Sequence, residues 1–415
     1  MPRLIFHVDV NSAFLSWEAA KRVREGQPDL RLIPSAIGGD VEKRTGIILA
    51  KSIPAKKFGI KTGEPVLMAL RKCPELVLAK PDFKLYTRCS REFTAILCEY
   101  APVVEKFSID ECFLDMTGTE LIYPDPIATA HEIKDKIRDT LGFTVNIGIG
   151  ENRLCAKMAS DFEKPDRVHT LFPAEIPEKL WTLPVRDLFG IGASTAERLE
   201  RASIRTIGQL ANCDTEIIQS LVGVKLGKSI HDSANGIDDS PVSDKPEDSK
   251  GYSISTTVAH DIVNADEAYR VLLALADSVT SRMRADGFMC QCISVTLRTS
   301  SFKNRSHQTK IDATDITNEI FTISKRLFDE LWDKHTPLRL LGIALTDLTR
   351  ERIVQLSLFH DADAENARER SRKLDRTVDD IRKKFGHSTI MLGSPPENEV
   401  GKKYKAQLDE RRKEN

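Results

Sequence analysis

Two β-rich runs between Val103 and Met116 flank the short segment Ser108–Glu111, and this pattern constrains the fold more than any other feature of the chain. It is typical of a β-hairpin, whose two strands pair antiparallel. Further apolar strands are predicted at Leu4–Val8 and Phe143–Gly150, with amphipathic helices between them. An antiparallel hairpin among strands and helices favours an α/β (α+β) fold with a mixed sheet over a doubly wound parallel sheet.

Shifts in composition predict how the rest of the chain is divided. Residues 171–236 contain short helices separated by glycines, 237–250 form a polar linker with prolines, and 251–350 show a second α/β pattern. From about Asp361 the chain is dense in charge, and we expect one helix and a disordered end there. The other predicted elements are helices Ala13–Val23, Ile127–Thr140, Leu154–Phe162, Ala193–Arg201, Ala265–Arg284, Asp315–Trp332 and Ala367–Phe385, and strands Gly46–Ala50, Ser253–Val258, Cys292–Leu297 and Leu340–Leu345.

Basic and acidic residues almost balance, with 61 Lys and Arg against 62 Asp and Glu and a net charge of −1. This excludes a globally basic nucleic-acid binder, but it leaves room for a locally basic surface. Residues 43–63 and 291–310 carry several Lys or Arg side chains and no Asp or Glu. The second stretch is predicted to be a strand followed by a loop. Each stretch is a candidate phosphate track, and the alternative is an ordinary solvated face.

The cysteines and the apolar runs indicate the compartment. The eight cysteines include no C-x-x-C pair, which fits neither a zinc site nor a disulfide framework, and reduced thiols are typical of cytosolic proteins. No apolar run reaches the roughly 18–20 residues of a membrane helix, and the N-terminus lacks the pattern of a signal peptide. We therefore expect a cytoplasmic protein that does not contact the membrane.

Three acidic residues stand at the ends of predicted strands. Asp9 closes the first strand, and Asp110 and Glu111 lie at the tight end of the hairpin. Carboxylates that converge repel one another unless cations lie between them, and oxygen ligands of this kind suit Mg²⁺ and phosphoryl or nucleotidyl transfer. The alternative is that Asp110 caps a turn and that Asp9 caps the following helix.

Gly190-Ile191-Gly192 precedes a predicted helix. A glycine-bounded turn into a helix N-terminus exposes backbone N–H groups, which can hold a phosphate without reading sequence. A plain turn between two helices is the alternative interpretation.

Five segments, in this order along the chain, resemble the motifs of the Y-family translesion DNA polymerases, in particular the DNA polymerase IV branch. They are His7–Phe14, Phe107–Asp115, Ala156–Asp161 with Lys164-Pro165, Gly190–Gly192 and Ala234–Asp238. These motifs are spread between residues 7 and 238.

The resemblance implies a right-hand polymerase with a palm, small fingers, a helical thumb and an α/β little-finger domain. By position, residues 1–170 would be the palm, with the fingers inserted at about 18–75, and residues 171–236 the thumb with a helix-hairpin-helix. The linker would be residues 237–250 and the little finger residues 251–350.

The resemblance also implies roles for single residues. Two Mg²⁺ ions would be held by the carboxylates of Asp9, Asp110 and Glu111 and the backbone carbonyl of Val10. The residues implied to contact the dNTP are Phe14, as a steric gate beside the deoxyribose, and Lys56 and Lys164 at the triphosphate. Ala13 stands where the family commonly has an aromatic residue, and Ile53 and Lys56 stand where it usually has Tyr and Arg.

For the primer–template DNA, the resemblance implies two contact regions. Gly190 and Gly192 would grip backbone phosphates from the thumb. The basic strand of the little finger would supply Arg298, Lys303 and Arg305.

Gln355-Leu356-Ser357-Leu358-Phe359 resembles the short peptide by which bacterial DNA-processing proteins dock on the β sliding clamp. Its Gln355, Leu356, Leu358 and Phe359 would make the contacts, because apolar side chains of a short segment can anchor in a partner's hydrophobic pocket. The alternative is a last strand buried on its own domain.

The sequence thus predicts an error-prone, DNA-directed DNA polymerase that adds dNMPs to a primer 3′ end opposite damaged template, by two-metal transfer and without proofreading. We expect a bacterial-type monomer in the cytoplasm, at the nucleoid when bound to DNA. Two alternatives are a non-catalytic DNA-binding accessory protein with the same fold and a palm-type nucleotide cyclase.

Overall fold

The computed structural model describes residues 3–39, 46–245, 248–351, 362–386 and 389–390. The described residues fall into two compact units, one that ends at residue 245 and one that begins at residue 248. No helix in these described ranges combines the length and the apolar character that crossing a membrane requires.

The first unit contains eight strands and ten α-helices among its described residues. In chain order they are β1 (Ile5–Val10), α1 (Ala13–Arg24), β2 (Ser35–Gly38), β3 (Ile48–Lys51), α2 (Ile53–Lys57), α3 (Val66–Lys72), β4 (Val77–Ala79), α4 (Phe83–Leu97), β5 (Val103–Lys106), β6 (Glu111–Asp115), α5 (Pro126–Leu141), β7 (Val145–Gly150), α6 (Arg153–Ser160), β8 (Val168–Leu171), α7 (Ala193–Arg201), α8 (Ile207–Ala211), α9 (Thr215–Val222) and α10 (Val224–Ala234).

A five-stranded mixed sheet, in the order β5-β6-β1-β7-β8, forms the centre of the first unit. Strand β1 pairs antiparallel with both β6 and β7, whereas β7 pairs parallel with β8. Every residue of β1 and β7 is buried, because these strands are central and carry helices on both faces. The predicted hairpin and the mixed sheet are therefore confirmed.

Helix α6 lies directly against β7 because glycines leave room for it. A Cβ atom added at Gly148 would collide with the backbone carbonyl of Ala156, and one at Gly150 would lie 2.7 Å from the Cβ of Cys155. This close approach of helix and strand brings the polar side chains of α6 to the strand end where β1 and β6 carry their acids.

A smaller sheet, in the order β3-β2-β4, has its own hydrophobic core with α2 and α3. The predicted strand Gly46–Ala50 is observed as β3, shifted by about two residues. Residues 173–236 pack as short helices around a third core, which includes Leu180, Leu199 and Ile207.

Part of the predicted linker is fixed to the first unit. The Arg3 guanidinium donates hydrogen bonds to the backbone carbonyls of Asp238 at 2.9 Å and Ser240 at 3.0 Å. The backbone N–H of Ser243 donates to the Glu105 carboxylate at 3.0 Å. The polar composition of this segment therefore reflects hydrogen bonding to the first unit as well as exposure to water.

The second unit is a four-stranded antiparallel sheet with helices on one face. Its elements are β9 (Gly251–Ile262), α11 (Ala265–Ala285), β10 (Met289–Thr299), β11 (Asn304–Thr314), α12 (Thr317–Leu331), β12 (Leu338–Thr349) and α13 (Ala362–Phe385), and the strand order is β11-β10-β12-β9. The prediction of a loop after residue 299 was wrong, because β11 occupies 304–314. It is an edge strand with mostly exposed polar residues, so it lacks the apolar alternation that reveals a strand.

Helix α13 is joined to the rest of the second unit by charged contacts. The Arg284 guanidinium on α11 donates to Asp379 at 2.7 Å and to Asp375 at 3.3 Å, and the Arg372 guanidinium donates to Asp315 at 2.9 Å. Arg284, Arg372, Asp375 and Asp315 all have side chains at most about one-tenth exposed. Removing one partner of an ion pair this well buried destabilises the fold strongly, because the other charge is left buried and unpaired.

We expect Arg284→Ala to destabilise the second unit by about 3–5 kcal/mol, because Asp375 and Asp379 would lose the guanidinium between them. Hydrogen exchange of the intact protein would show this as at least a hundredfold loss of amide protection, by order of magnitude, in α11 and α13. Arg376→Ala, which removes an exposed arginine of α13, is the control. Equal protection in the two variants would contradict the prediction.

Candidate active site

The three predicted metal-binding acids meet at the ends of β1 and β6. Asp9 and Glu111 are direct partners in the antiparallel register of these strands, and both side chains are therefore on the same face. Asp110 lies beside them, because its carbonyl accepts a hydrogen bond from the backbone N–H of Val10 at 3.0 Å. All four residues that the sequence assigned to metal binding thus lie together.

Two lysines neutralise two of these acids, Asp9 and Glu111. The Lys157 ammonium lies 3.2 Å from the Glu111 carboxylate and 3.6 Å from the Asp9 carboxylate, and the Lys164 ammonium lies 2.8 Å from Asp9. Like charges directly opposite each other across a ladder destabilise a sheet. The ammonium groups therefore occupy positions where the site requires cations.

Two further side chains complete this charge network. The Asp161 carboxylate forms ion pairs with both lysines, at 3.4 Å from Lys157 and 2.8 Å from Lys164. His7 is fully buried, with its Nε2 3.4 Å from Glu111 and its Nδ1 2.8 Å from the Ser160 hydroxyl. These contacts fix the positions of the two lysines and of Glu111.

The acids at this strand end differ in pKa. Burial, followed by the charges of Asp9 and Glu111, raises the pKa of Asp110. Burial alone would raise the pKa of Glu111 too, but the neighbouring His7 ring and the Lys157 ammonium lower it to about 2. Glu111 is therefore ionised at neutral pH, and Asp110 lies where an additional cation would be stabilising.

The donor set suits a hard divalent cation. Within the described ranges, no three His, Cys, Asp or Glu side chains surround a common point closely enough to form a metal centre by themselves. The carboxylates nevertheless offer hard oxygen ligands, and the ammonium groups between them show that positive charge is stable at this position. Asp9, Asp110 and Glu111 are the side chains that could hold such an ion.

Phe14 lies in the first turn of α1, five residues after Asp9. Its ring stacks on Tyr86 with centroids 4.7 Å apart, and the edge of Phe83 lies against it at 6.2 Å. Phe14 remains partly exposed while Tyr86 is fully buried, and burial raises the pKa of Tyr86 to about 12. Phe14 is thus a ring that packs against Tyr86 on one face and remains partly exposed.

The two predicted triphosphate contacts lie in different environments. Lys164 is bound to Asp9 at the carboxylates. Lys56 lies exposed on α2, beside the small sheet, and its neighbour Ile53 is 57% exposed. The structure therefore places Lys164 in the acidic cluster and Lys56 on a separate surface.

Gly190 and Gly192 form an open backbone loop at the start of α7. Gly190 has a φ of +90°, a conformation that favours glycine. A Cβ atom added at either glycine would meet nothing within 4 Å, while Ile191 between them is buried and anchors the loop. The loop can therefore approach another backbone closely.

The basic residues of the second unit do not share one face. Arg305 pairs across the ladder with the buried Leu297, and its guanidinium lies 3.9 Å from the Asp333 carboxylate. Arg298 pairs with Asn304, one position along, and therefore points to the opposite, polar face of the sheet. Lys303 is exposed in the turn between β10 and β11. The predicted clamp-binding residues Gln355–Phe359 lie outside the described residues.

Sequence reasoning did not assign a role to Lys157, Asp161 or His7. Lys157, Asp161 and Lys164 are spaced i, i+4 and i+7, which places the first two on one face of a helix. Because the three predicted metal-binding acids had no basic partners in the sequence analysis, this spacing was the signal that could have indicated their partners. His7 has the same parity as Asp9 on β1 and so faces the same side.

Family models match three parts of the chain. Residues 8–161 match the impB/mucB/samB family, residues 249–358 match the C-terminal domain of the impB/mucB/samB family, and residues 186–238 match the thumb domain of DNA polymerase-iota. The matched ranges include the acids, the glycine loop and the sheet of the second unit.

Curated relatives cover almost the whole chain. DNA polymerase IV of Clostridium acetobutylicum is 42% identical over 94% of this chain and 98% of the relative, and DNA polymerase IV 1 of Bacillus subtilis is 35% identical over 96% and 95%. A solved Y-family DNA polymerase chimera, Dbh–Dpo4–Dbh, has a TM-score of 0.73 at 20% identity, covers 84% of this chain and 100% of its own, and supports the fold. This chain therefore belongs to the Y-family DNA polymerases of the impB/mucB/samB family, in their DNA polymerase IV branch.

Proposed function

We propose that this DNA polymerase is an error-prone translesion enzyme that adds dNMPs to a primer 3′ end opposite damaged template, without proofreading. One observation carries the proposal: Asp9 and Glu111 are paired across β1 and β6, beside Asp110, with cationic side chains between them. A scaffold protein would have no need for this destabilising cluster of acids.

We propose that Asp9, Asp110 and Glu111, with the carbonyl of Val10, hold two Mg²⁺ ions. Bound there, the ions would supply a Lewis acid for the primer 3′-hydroxyl and the α-phosphate of the dNTP and would neutralise charge on the leaving pyrophosphate. Lys164 is positioned to move from Asp9 to a triphosphate oxygen. Catalysis is then positioning and charge neutralisation by residues that are already in place.

We propose that Lys56 is a second triphosphate contact. An ammonium is a point charge and cannot reproduce the bidentate grip of an arginine. This difference favours looser binding of the incoming nucleotide, in line with an enzyme of low selectivity.

For the DNA contacts, we propose that the backbone N–H groups at Gly190 and Gly192 bind phosphates. Arg298 and Lys303 would contact DNA at the polar face and turn of the second sheet. For Arg305 we propose a separate DNA contact, because it lies on the other face and near Asp333.

The proposed domains follow the predicted boundaries: palm 1–170 with fingers at about 18–75, thumb 171–236, linker 237–250 and little finger 251–350. The division of the described residues between 245 and 248 supports a separate little finger. Residues 351–415 would carry the clamp-binding peptide and a charged segment. The relatives are bacterial proteins, and we propose a monomer that works in the cytoplasm at the nucleoid.

Primer extension tests the proposed activity. The purified protein, a primed template with a defined lesion, dNTPs and Mg²⁺ should give products that end beyond the lesion. A template without the lesion is the control for general activity. Absence of any extension on both templates would favour a non-catalytic DNA-binding protein.

We expect the double substitution Leu358→Ala and Phe359→Ala to leave basal primer extension unchanged but to remove its stimulation by a loaded β clamp. The reason is that two apolar anchors supply most of the binding energy of such a peptide. Leu374→Ala, which removes an exposed leucine of α13, serves as control. Normal clamp stimulation in the double variant would show that this segment is not the docking peptide.

A further inference from the structure

A cavity of about 800 Å³ lies within the first unit, beside the catalytic carboxylates. Its walls come from the β5–β6 hairpin, the start of α6, the glycine loop and α10. Lys157 lines the cavity and also contacts Asp9 and Glu111, while Gly190 lines it on the side of the glycine loop. A strand that ran from the glycine loop to the carboxylates would therefore pass along this cavity.

The cavity offers aromatic rings at its surface. Phe107 from the hairpin and Phe189 from the glycine loop meet with centroids 6.3 Å apart, and they are 42% and 47% exposed. Phe113 lies behind them at 5.3 Å from Phe107. Exposed aromatic rings offer a stacking surface for unpaired nucleobases.

The charges around the cavity restrict what can bind. Arg153 donates to Glu105 at 2.6 Å, and Lys157 is bound to the catalytic acids. The remaining charged side chains of the wall are two lysines and three aspartates, namely Lys225, Lys228, Asp232, Asp238 and Asp239. This near balance disfavours a multiply charged free nucleotide and suits one nucleotide of a strand, which carries a single phosphodiester charge.

We propose that this cavity binds the 3′-terminal nucleotide of a primer when that nucleotide is unpaired, with its base against Phe107 and Phe189. The inference rests on the proposed function, because the primer terminus is the strand end that must reach Asp9 and Glu111. A paired terminal base is held in the duplex by its template partner and cannot swing out to the phenylalanines. A mismatched terminus would therefore be held away from the carboxylates and extended slowly.

The test uses a primer that ends in 2-aminopurine, whose emission falls when the base stacks. With Mg²⁺ and dNTPs omitted, binding of the enzyme should quench a terminus placed opposite guanine and should have little further effect on one placed opposite thymine. In Phe189→Ala and Phe107→Ala the bound state should weaken about 5- to 150-fold, in line with the loss of one base–aromatic stack. Phe385→Ala, which removes an exposed ring of α13, should behave as wild type.

Two outcomes would overturn the proposal. One is equal quenching of the mismatched terminus in Phe189→Ala, Phe107→Ala and wild type. The other is release of the quenched terminus by micromolar dAMP, which would identify a site for free nucleotides instead. Since the fluorescence assay omits Mg²⁺ and dNTPs, it is independent of catalysis, and extension of the matched primer by the same preparations reports separately on the proposed function.

Discussion

Asp110→Asn and Glu111→Gln are each expected to abolish nucleotide addition while primer–template binding survives. Each substitution removes a negative charge from the group that the proposal assigns to Mg²⁺, and neither touches the glycine loop or the basic residues of the second unit. Charge stabilisation of several kcal/mol by the metal corresponds to at least about a thousandfold in rate. Single-turnover primer extension measures the loss, and fluorescence anisotropy measures DNA binding.

Asp115→Asn provides a matched control, because Asp115 ends the same strand, β6, and pairs with Ile5 at the far end of β1. It should retain near-wild-type rates of extension. If either Asp110→Asn or Glu111→Gln extends primers as fast as Asp115→Asn does, the metal assignment is wrong.

Phe14→Ala should make the enzyme incorporate ribonucleotides far more readily while it keeps its activity with dNTPs. Because the Phe14 ring is stacked on Tyr86, it has little room to move aside. A 2′-hydroxyl beside it would therefore clash with the ring and lose its hydrogen bonds to water. Ala13 is too small to replace the ring. Each tenfold of selectivity requires about 1.4 kcal/mol, so we expect at least a hundredfold change, by order of magnitude, in the rNTP to dNTP ratio of kcat/KM.

Substitution of a buried aromatic residue in the same core is the control that distinguishes an effect on sugar selection from an effect on stability. Phe143 is 1% exposed and packs edge-on against Trp17, so Phe143→Leu should lower thermal stability without changing sugar choice. Unchanged selectivity in a folded, active Phe14→Ala enzyme would falsify the gate assignment.

The sequence predicted those elements whose apolar residues recur with a clear period. The hairpin around Asp110, the buried strand β1 and helix α11 are examples, since each has one or two faces that must be buried. Strand β11 was missed because its exposed residues carry no such pattern. The docking of α13 was missed because it depends on arginine–carboxylate pairs, and local sequence does not reveal which distant charge is the partner.

The candidate site was predictable only in part for a similar reason. Asp9, Asp110 and Glu111 stand at strand ends, so their meeting follows from sheet topology. That Lys157 reaches Glu111 depends on how closely α6 approaches β7, and the glycines that permit this approach, Gly148 and Gly150, are informative only once the two elements are known to pack. The separation of Arg298 from Arg305 required the ladder register.

The charged contacts of α13 determine where the second unit can be cut. A protein shortened after β12 would keep all four strands, yet it would lose Arg372 and Asp375. Asp315 and Arg284, which those side chains cover, would then face water at the surface of the sheet's helical layer. The smallest fragment of this unit that keeps the native packing therefore extends to about residue 386, well past the last strand. A protease that cut the chain before that point would also destabilise α11 and the start of α12.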